Sequence, residues 1–162
     1  MRHPFMEAVS TRLARRGVAT LRYQFPYMEA GRRPPNPPHV LLPTVRNAVA
    51  AAKRSIRGLP LFAGGKSMGG RIASMIAAEM EDAGTGVRGL VCLGYPFHGP
   101  GRPMNPDRLA HLENLKTPAL ICQGARDTLG NAEDVAGYAL SPAISVHWLE
   151  DGDHSFRPRV SS

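Results

Sequence analysis

Leu61-Phe62-Ala63-Gly64-Gly65-Lys66-Ser67-Met68-Gly69-Gly70-Arg71 (LFAGGKSMGGR) admits two readings, each with a different fold behind it. Gly65-Lys66-Ser67 is how a phosphate-binding P-loop ends, and Gly65-Lys66-Ser67-Met68-Gly69 is a complete G-x-S-x-G nucleophile elbow. Spacing decides between them. A P-loop needs a glycine five residues before the one that precedes the lysine, and that position is Pro60. Leu61, Phe62 and Ala63 are strand-like rather than a loop able to wrap phosphates. The nearest acidic residues ending an apolar run, Glu150 and Asp151, make a poor magnesium site.

An elbow requires a strand, a tight turn and a helix in that order, with the serine at the turn. The serine must take up a strained backbone conformation, so the positions two before and two after it must be small. Here they are Gly65 and Gly69, flanked by Gly64 and Gly70. The following helix aims its N-terminus at Ser67, which favours developing negative charge. An isolated turn serine would not need so many glycines around it.

Outward from the elbow, helical and strand patterns alternate. Pro4 to Arg16 places Phe5, Met6, Val9 and Leu13 at helical spacing and stops at Gly17. Val18 to Tyr23 reads as a short strand, Gly31 to Pro38 as a proline-rich loop, and Leu42 to Ile56 as a second helix. Leu59 to Ala63 is the strand before the elbow and Met68 to Met80 the helix after it. Val87 to Leu93 is the next strand, followed by a Pro/Gly loop from Tyr95 to Pro106 and a short helix from Asp107 to Leu115. Pro118 to Cys122 and Ile144 to Leu149 are two more strands, separated by a helix from Ala132 to Leu140. Strands that are nearly continuous apolar runs, alternating with helices, imply an α/β fold: a mainly parallel sheet of about five strands with helices on both faces. The 162 residues read as a single domain, residues 1–162, with no internal repeat.

Composition narrows the function. No apolar run approaches ~18 residues, so the sequence has no membrane span, and the N-terminus lacks the apolar core of a secretory signal. Cys92 and Cys122 sit inside apolar runs (LVCLG and ALICQG) and read as small buried hydrophobes in a reducing compartment, the cytoplasm. No Cys/His spacing suits a metal, and no cofactor is implied. The net charge of +7 is uneven: eleven Lys/Arg precede Leu59 against Glu7 and Glu29. No aromatic rings interleave with these cations, which argues against nucleic acid and for solvated helix faces.

A serine nucleophile needs a base and a group to orient that base. After the strand at Pro118 comes Gly124-Ala125-Arg126-Asp127, and after the strand at Ile144 comes Glu150-Asp151-Gly152-Asp153-His154. Ser67, Asp127 and His154 therefore arrive at one sheet edge in the order Ser, Asp, His, where open α/β sheets gather their functional groups. Among the other histidines, His3 and His39 adjoin prolines, His111 is on a helix and His147 within a strand. His98, in the Pro/Gly loop, is the second candidate base. Asp151 and Asp153 are alternative orienters, awkwardly close to His154 in sequence.

With these residues in place the chain resembles the α/β-hydrolases, and within them the dienelactone-hydrolase-like branch of small, lidless serine hydrolases. The phrases HPFMEAV, RYQFPYME, GGKSMGGRIASM, VCLGYPFH, PALICQGARDTLG and LEDGDHSF carry the resemblance over nearly the whole length. Ser67, Asp127 and His154 match the family's nucleophile, acid and base, and the Met68 N–H matches one oxyanion donor. The dienelactone hydrolases proper use cysteine where this chain has Ser67, so their substrate does not carry over.

The resemblance further implies a central strand and a His-Gly loop ahead of Pro4, the loop giving a second oxyanion donor, and a final helix after His154. The sequence begins and ends without them, so a reduced α/β-hydrolase fold is expected, with a second copy of the chain as one way to fill the gap. The expected activity is hydrolysis of small soluble carboxylic esters or thioesters, with no large lid, and with Tyr95, Phe97 and His98 near the pocket. The other expectation is a non-catalytic domain that binds a partner through its basic N-terminal half.

Overall fold

Four of the five expected strands form in the computed structural model, which describes residues 3–102 and 105–159. Pro103 and Met104 of the Pro/Gly loop lie outside the described residues, as do Met1, Arg2 and the last three residues. The chain divides into two compact units, Met1–Gly58 and Leu59–Ser162.

The described residues of the first unit form three helices: α1 (Pro4–Ala14), α2 (Pro26–Glu29) and α3 (Pro38–Ser55). Each opens on a proline, whose preset φ suits the first helical turn and whose missing N–H would have had no helical acceptor there. For this reason α3 begins inside the expected proline-rich loop, four residues before Leu42. Leu41, Val45 and Val49 recur at four-residue spacing along α3 and are its buried positions. Val18 to Tyr23, expected as a strand, forms none. An apolar extended stretch becomes a strand only when a neighbour takes its N–H and C=O groups, and no described residue pairs with it.

The second unit carries the sheet: β1 (Phe62–Lys66), β2 (Gly89–Leu93), β3 (Ala119–Gly124) and β4 (Ile144–Leu149), all parallel in the order β1-β2-β3-β4. Three helices connect them: α4 (Met68–Asp82), α5 (Pro106–Glu113) and α6 (Ala132–Ala136). The strand before the elbow lies three residues later than expected. Glycines weaken a strand in isolation, but pairing with β2 carries it through Gly64 and Gly65 until Lys66 faces Leu93. Ser67 is then the first residue beyond the sheet.

The helix α4 packs against β1 and β2 and buries Ile72, Ala73, Ile76 and Ala77. Leu90 and Cys92 of β2 and Ile121 of β3 complete the core beside them. Alternation along the strands turns Val91 and Leu120 to the other face, where they remain 38% and 40% exposed. The helix α6 is shorter than the sequence suggests. It starts with a capping box between Asn131 and Asp134 and stops at Gly137.

Candidate active site

Three loops at the C-terminal edge of the sheet bring Ser67, His154 and Asp127 together. Ser67 follows β1 directly and caps α4, with φ 52° and ψ −119°. A side chain at positive φ is strained, and such conformations persist only where the surroundings enforce them. Here the Ser67 N–H donates to the Leu93 carbonyl (2.9 Å), and the Ser67 carbonyl accepts from the Arg71 N–H (3.1 Å).

The turn is crowded in a specific way. A Cβ on Gly65 would lie 2.8 Å from the Gly69 carbonyl carbon, and one on Gly70 would lie 2.8 Å from the Gly65 carbonyl oxygen. A Cβ on Gly69 would meet nothing within 4 Å. Of the two elbow glycines named from the motif, Gly65 is required by packing and Gly69 is not, while Gly70 is.

The Ser67 Oγ is 3.0 Å from His154 Nε2, and His154 Nδ1 is 2.7 Å from Asp127 Oδ2. Asp127 sits on a tight turn after β3, its N–H donating to the Gly124 carbonyl (3.0 Å), and it has no exposed surface. Its Oδ1 accepts from the Leu129 N–H (2.9 Å). A buried carboxylate needs such partners, because leaving it without them would be far more costly than in water.

The other candidates are engaged elsewhere. Asp153 Oδ1 accepts from the N–H groups of Ser155 (2.7 Å) and Arg157 (2.9 Å), which shapes the turn carrying His154. Asp151 pairs with Arg126 (3.0 Å). Neither orients the imidazole. His98 is held by the Gly99 carbonyl (3.0 Å) and Asp134 (3.3 Å). Tyr95 and Phe97, expected near the pocket, have no exposed surface; their rings pack 4.8 Å apart in the core.

Gln123 was not singled out from the sequence. It is the next-to-last residue of β3 and fully buried. Its Oε1 accepts from the Tyr95 N–H (2.7 Å), and its Nε2 donates to Asp127 Oδ2 (2.9 Å), the Gly130 carbonyl (3.0 Å) and the Tyr95 carbonyl (3.2 Å). One amide thus ties the loop after β2 to the turn that carries Asp127. The available signal was a polar residue inside the apolar run ALICQG.

Behind α4 lies a second polar cluster. His111 Nε2 is 2.8 Å from Ser74 Oγ and 3.4 Å from the Tyr95 hydroxyl. Burial, with Arg71 nearby, brings the His111 pKa down to about 4, so the ring is neutral at physiological pH. Cys92 and Cys122 are both free. Burial pushes the Cys92 thiol up to about 12, which makes it an inert core residue.

A parallel sheet with a strained serine between strand and helix, hydrogen-bonded to a histidine that is in turn held by a buried aspartate, defines the α/β hydrolase class. The chain belongs to that family: residues 1–162 match the family model described as an alpha/beta hydrolase domain. Solved structures agree on the fold. An alpha-beta serine hydrolase homologue from Coxiella burnetii superposes with a TM-score of 0.73 at 16% identity, covering 94% of this chain and 73% of that one. The ferulic-acid-bound Est1E from Butyrivibrio proteoclasticus gives a TM-score of 0.69 at 16% identity, covering 95% of this chain and 76% of its own. Among the described residues, no helix is long and apolar enough to cross a membrane.

Proposed function

We propose that the chain is a serine hydrolase of small soluble carboxylic esters or thioesters, using Ser67, His154 and Asp127. The observation that carries this reading is the unbroken path from Ser67 Oγ to His154 Nε2 (3.0 Å) and from His154 Nδ1 to Asp127 Oδ2 (2.7 Å). His154 Nε2 takes the serine proton as Oγ attacks the carbonyl carbon, then returns it to the leaving oxygen or sulfur. Asp127 accepts from Nδ1–H, which fixes the tautomer of His154, and stabilises the imidazolium that forms. Water repeats the sequence on the acyl-enzyme and releases the acid.

Met68 opens α4, so its N–H is among those without a helical acceptor. It points the positive end of the helix at the developing oxyanion. The Est1E structure holds ferulic acid, a small carboxylic acid, which is compatible with this substrate class.

Intact-mass analysis after treatment with a fluorophosphonate tests the reading. One adduct per chain on the wild type and none on Ser67→Ala is the expected result. A folded wild type that takes up no probe would overturn it.

A further inference from the structure

We infer that Lys66, immediately before the nucleophile, is a positioning residue that ties the serine turn to the turn carrying His154. The inference rests on the proposed triad. Lys66 ends β1, and its ammonium donates to the backbone carbonyl of His154. The same ammonium lies over the Phe156 ring, 4.7 Å from its centroid, a placement that attracts a cation to the π face.

Two further observations point to this contact. Among the described residues, Ser67 (φ 52°) and Phe156 (φ 63°) are the non-glycine residues with positive φ. Lys66 adjoins the first in sequence and its ammonium lies over the second, so one residue bridges the two strained turns. Gly94, at φ 64° just past β2, lines the same space: a Cβ there would lie 2.6 Å from Lys66 Nζ and 3.1 Å from the His154 carbonyl oxygen. Burial lowers the Lys66 pKa, and the carboxylates of Asp127 and Asp153 offset this. A half-buried cation at this place needs compensating contacts, and the His154 carbonyl and the Phe156 ring supply them.

The consequence is kinetic. Asp153 still folds the His154 turn without Lys66, through the N–H groups of Ser155 and Arg157. What is lost is the tether between that turn and the elbow. A misplacement of about 1 Å between reacting groups can slow a reaction by about 100-fold.

The test compares wild type, Lys66→Met and Lys66→Arg by phosphonylation rate, thermal melting and the low-field proton resonance of the His154 Nδ1–H, assigned with His154→Gln. Lys66→Met should melt within a few degrees of wild type, react about 30- to 100-fold more slowly and lose or broaden the resonance. Arginine keeps a cation, a donor and a stacking plane, so Lys66→Arg should recover most of both signals. A Lys66→Met chain with wild-type rate and resonance overturns the tether while the hydrolase reading stands. If the wild type takes up no probe, the hydrolase reading falls, and the resonance alone decides the tether: lost in Lys66→Met supports it, unchanged overturns it. Should Lys66→Met not fold, Phe156→Leu replaces it, with slower phosphonylation expected and an unchanged rate overturning the inference.

Discussion

His154 Nδ1 lies 2.7 Å from Oδ2 of Asp127, and that same oxygen accepts a second hydrogen bond, 2.9 Å long, from the buried amide of Gln123. The orientation of the imidazole therefore depends on Gln123 through Asp127. The carboxylate is held from both sides and has no solvent to relax into.

Replacing Asp127 by Asn keeps the shape of the turn but offers an amide where Nδ1 needs an acceptor. The wrong tautomer of His154 would then be favoured. Phosphonylation of Ser67 should slow by on the order of 10⁴-fold, read from stopped-time mass spectra.

Gln123→Leu matches the volume roughly but removes the hub. The Tyr95 N–H and the Gly130 carbonyl lose their partner, and Asp127 loses one of its three. Each unsatisfied buried group costs about 1–3 kcal/mol, so urea unfolding should show a loss of roughly 2–5 kcal/mol. A loss below about 1 kcal/mol would mean that water or the backbone replaces the amide.

The elbow glycines should separate cleanly. Gly65→Ala forces a Cβ to 2.8 Å from the Gly69 backbone, so the turn must shift and labelling of Ser67 should be abolished or nearly so. Gly69→Ala meets open space and sits in a helix, where alanine is favoured by up to about 1 kcal/mol. It should retain labelling and melt no lower than wild type.

Ser67 itself carries strain, with φ 52°. Non-glycine residues in such regions cost about 1–3 kcal/mol, whereas glycine gives back about 0.5–1 kcal/mol through its freer unfolded chain. Ser67→Gly should therefore be more stable than wild type by about 1 kcal/mol and unable to take up the probe, while Ser67→Ala should lose labelling without that gain. Thermal melting of the three proteins checks this.

His111 predicts a pH dependence of stability. Its folded pKa is lowered from 6.5 to about 4, so the unfolded chain binds more protons between these values. Above pH 6.5 the two states hold equal protons and this group makes no difference. As pH falls from 6.5 to about 4, stability is lost, by no more than roughly 3 kcal/mol and less for a partly solvated ring. Urea midpoints of wild type and His111→Gln should diverge across that window and run parallel outside it. Parallel behaviour throughout would show that the ring titrates alike in the folded and unfolded states.

Much of the fold is written in short windows. The strand, small residues and helix around Ser67 are local features, and so is the alternation of apolar strands with helices that implies a parallel sheet. The order Ser67, Asp127, His154 follows from which loops leave the same sheet edge. The boundaries are less legible. β1 extends through two glycines to Lys66 because β2 supplies its hydrogen bonds, and Val18 to Tyr23, with equally suitable side chains, forms no strand because no described residue pairs with it.

The amino-acid sequence by itself determined the elbow, the alternating fold and a short set of acid and base candidates, because periodicity and turn chemistry act between near neighbours. Tertiary structure alone decided that Gln123 anchors Asp127 and that Lys66 reaches the His154 turn. These contacts join residues as far apart as 88 positions in the chain. Whether such groups meet depends on how separate loops pack at one sheet edge, and no local pattern records that.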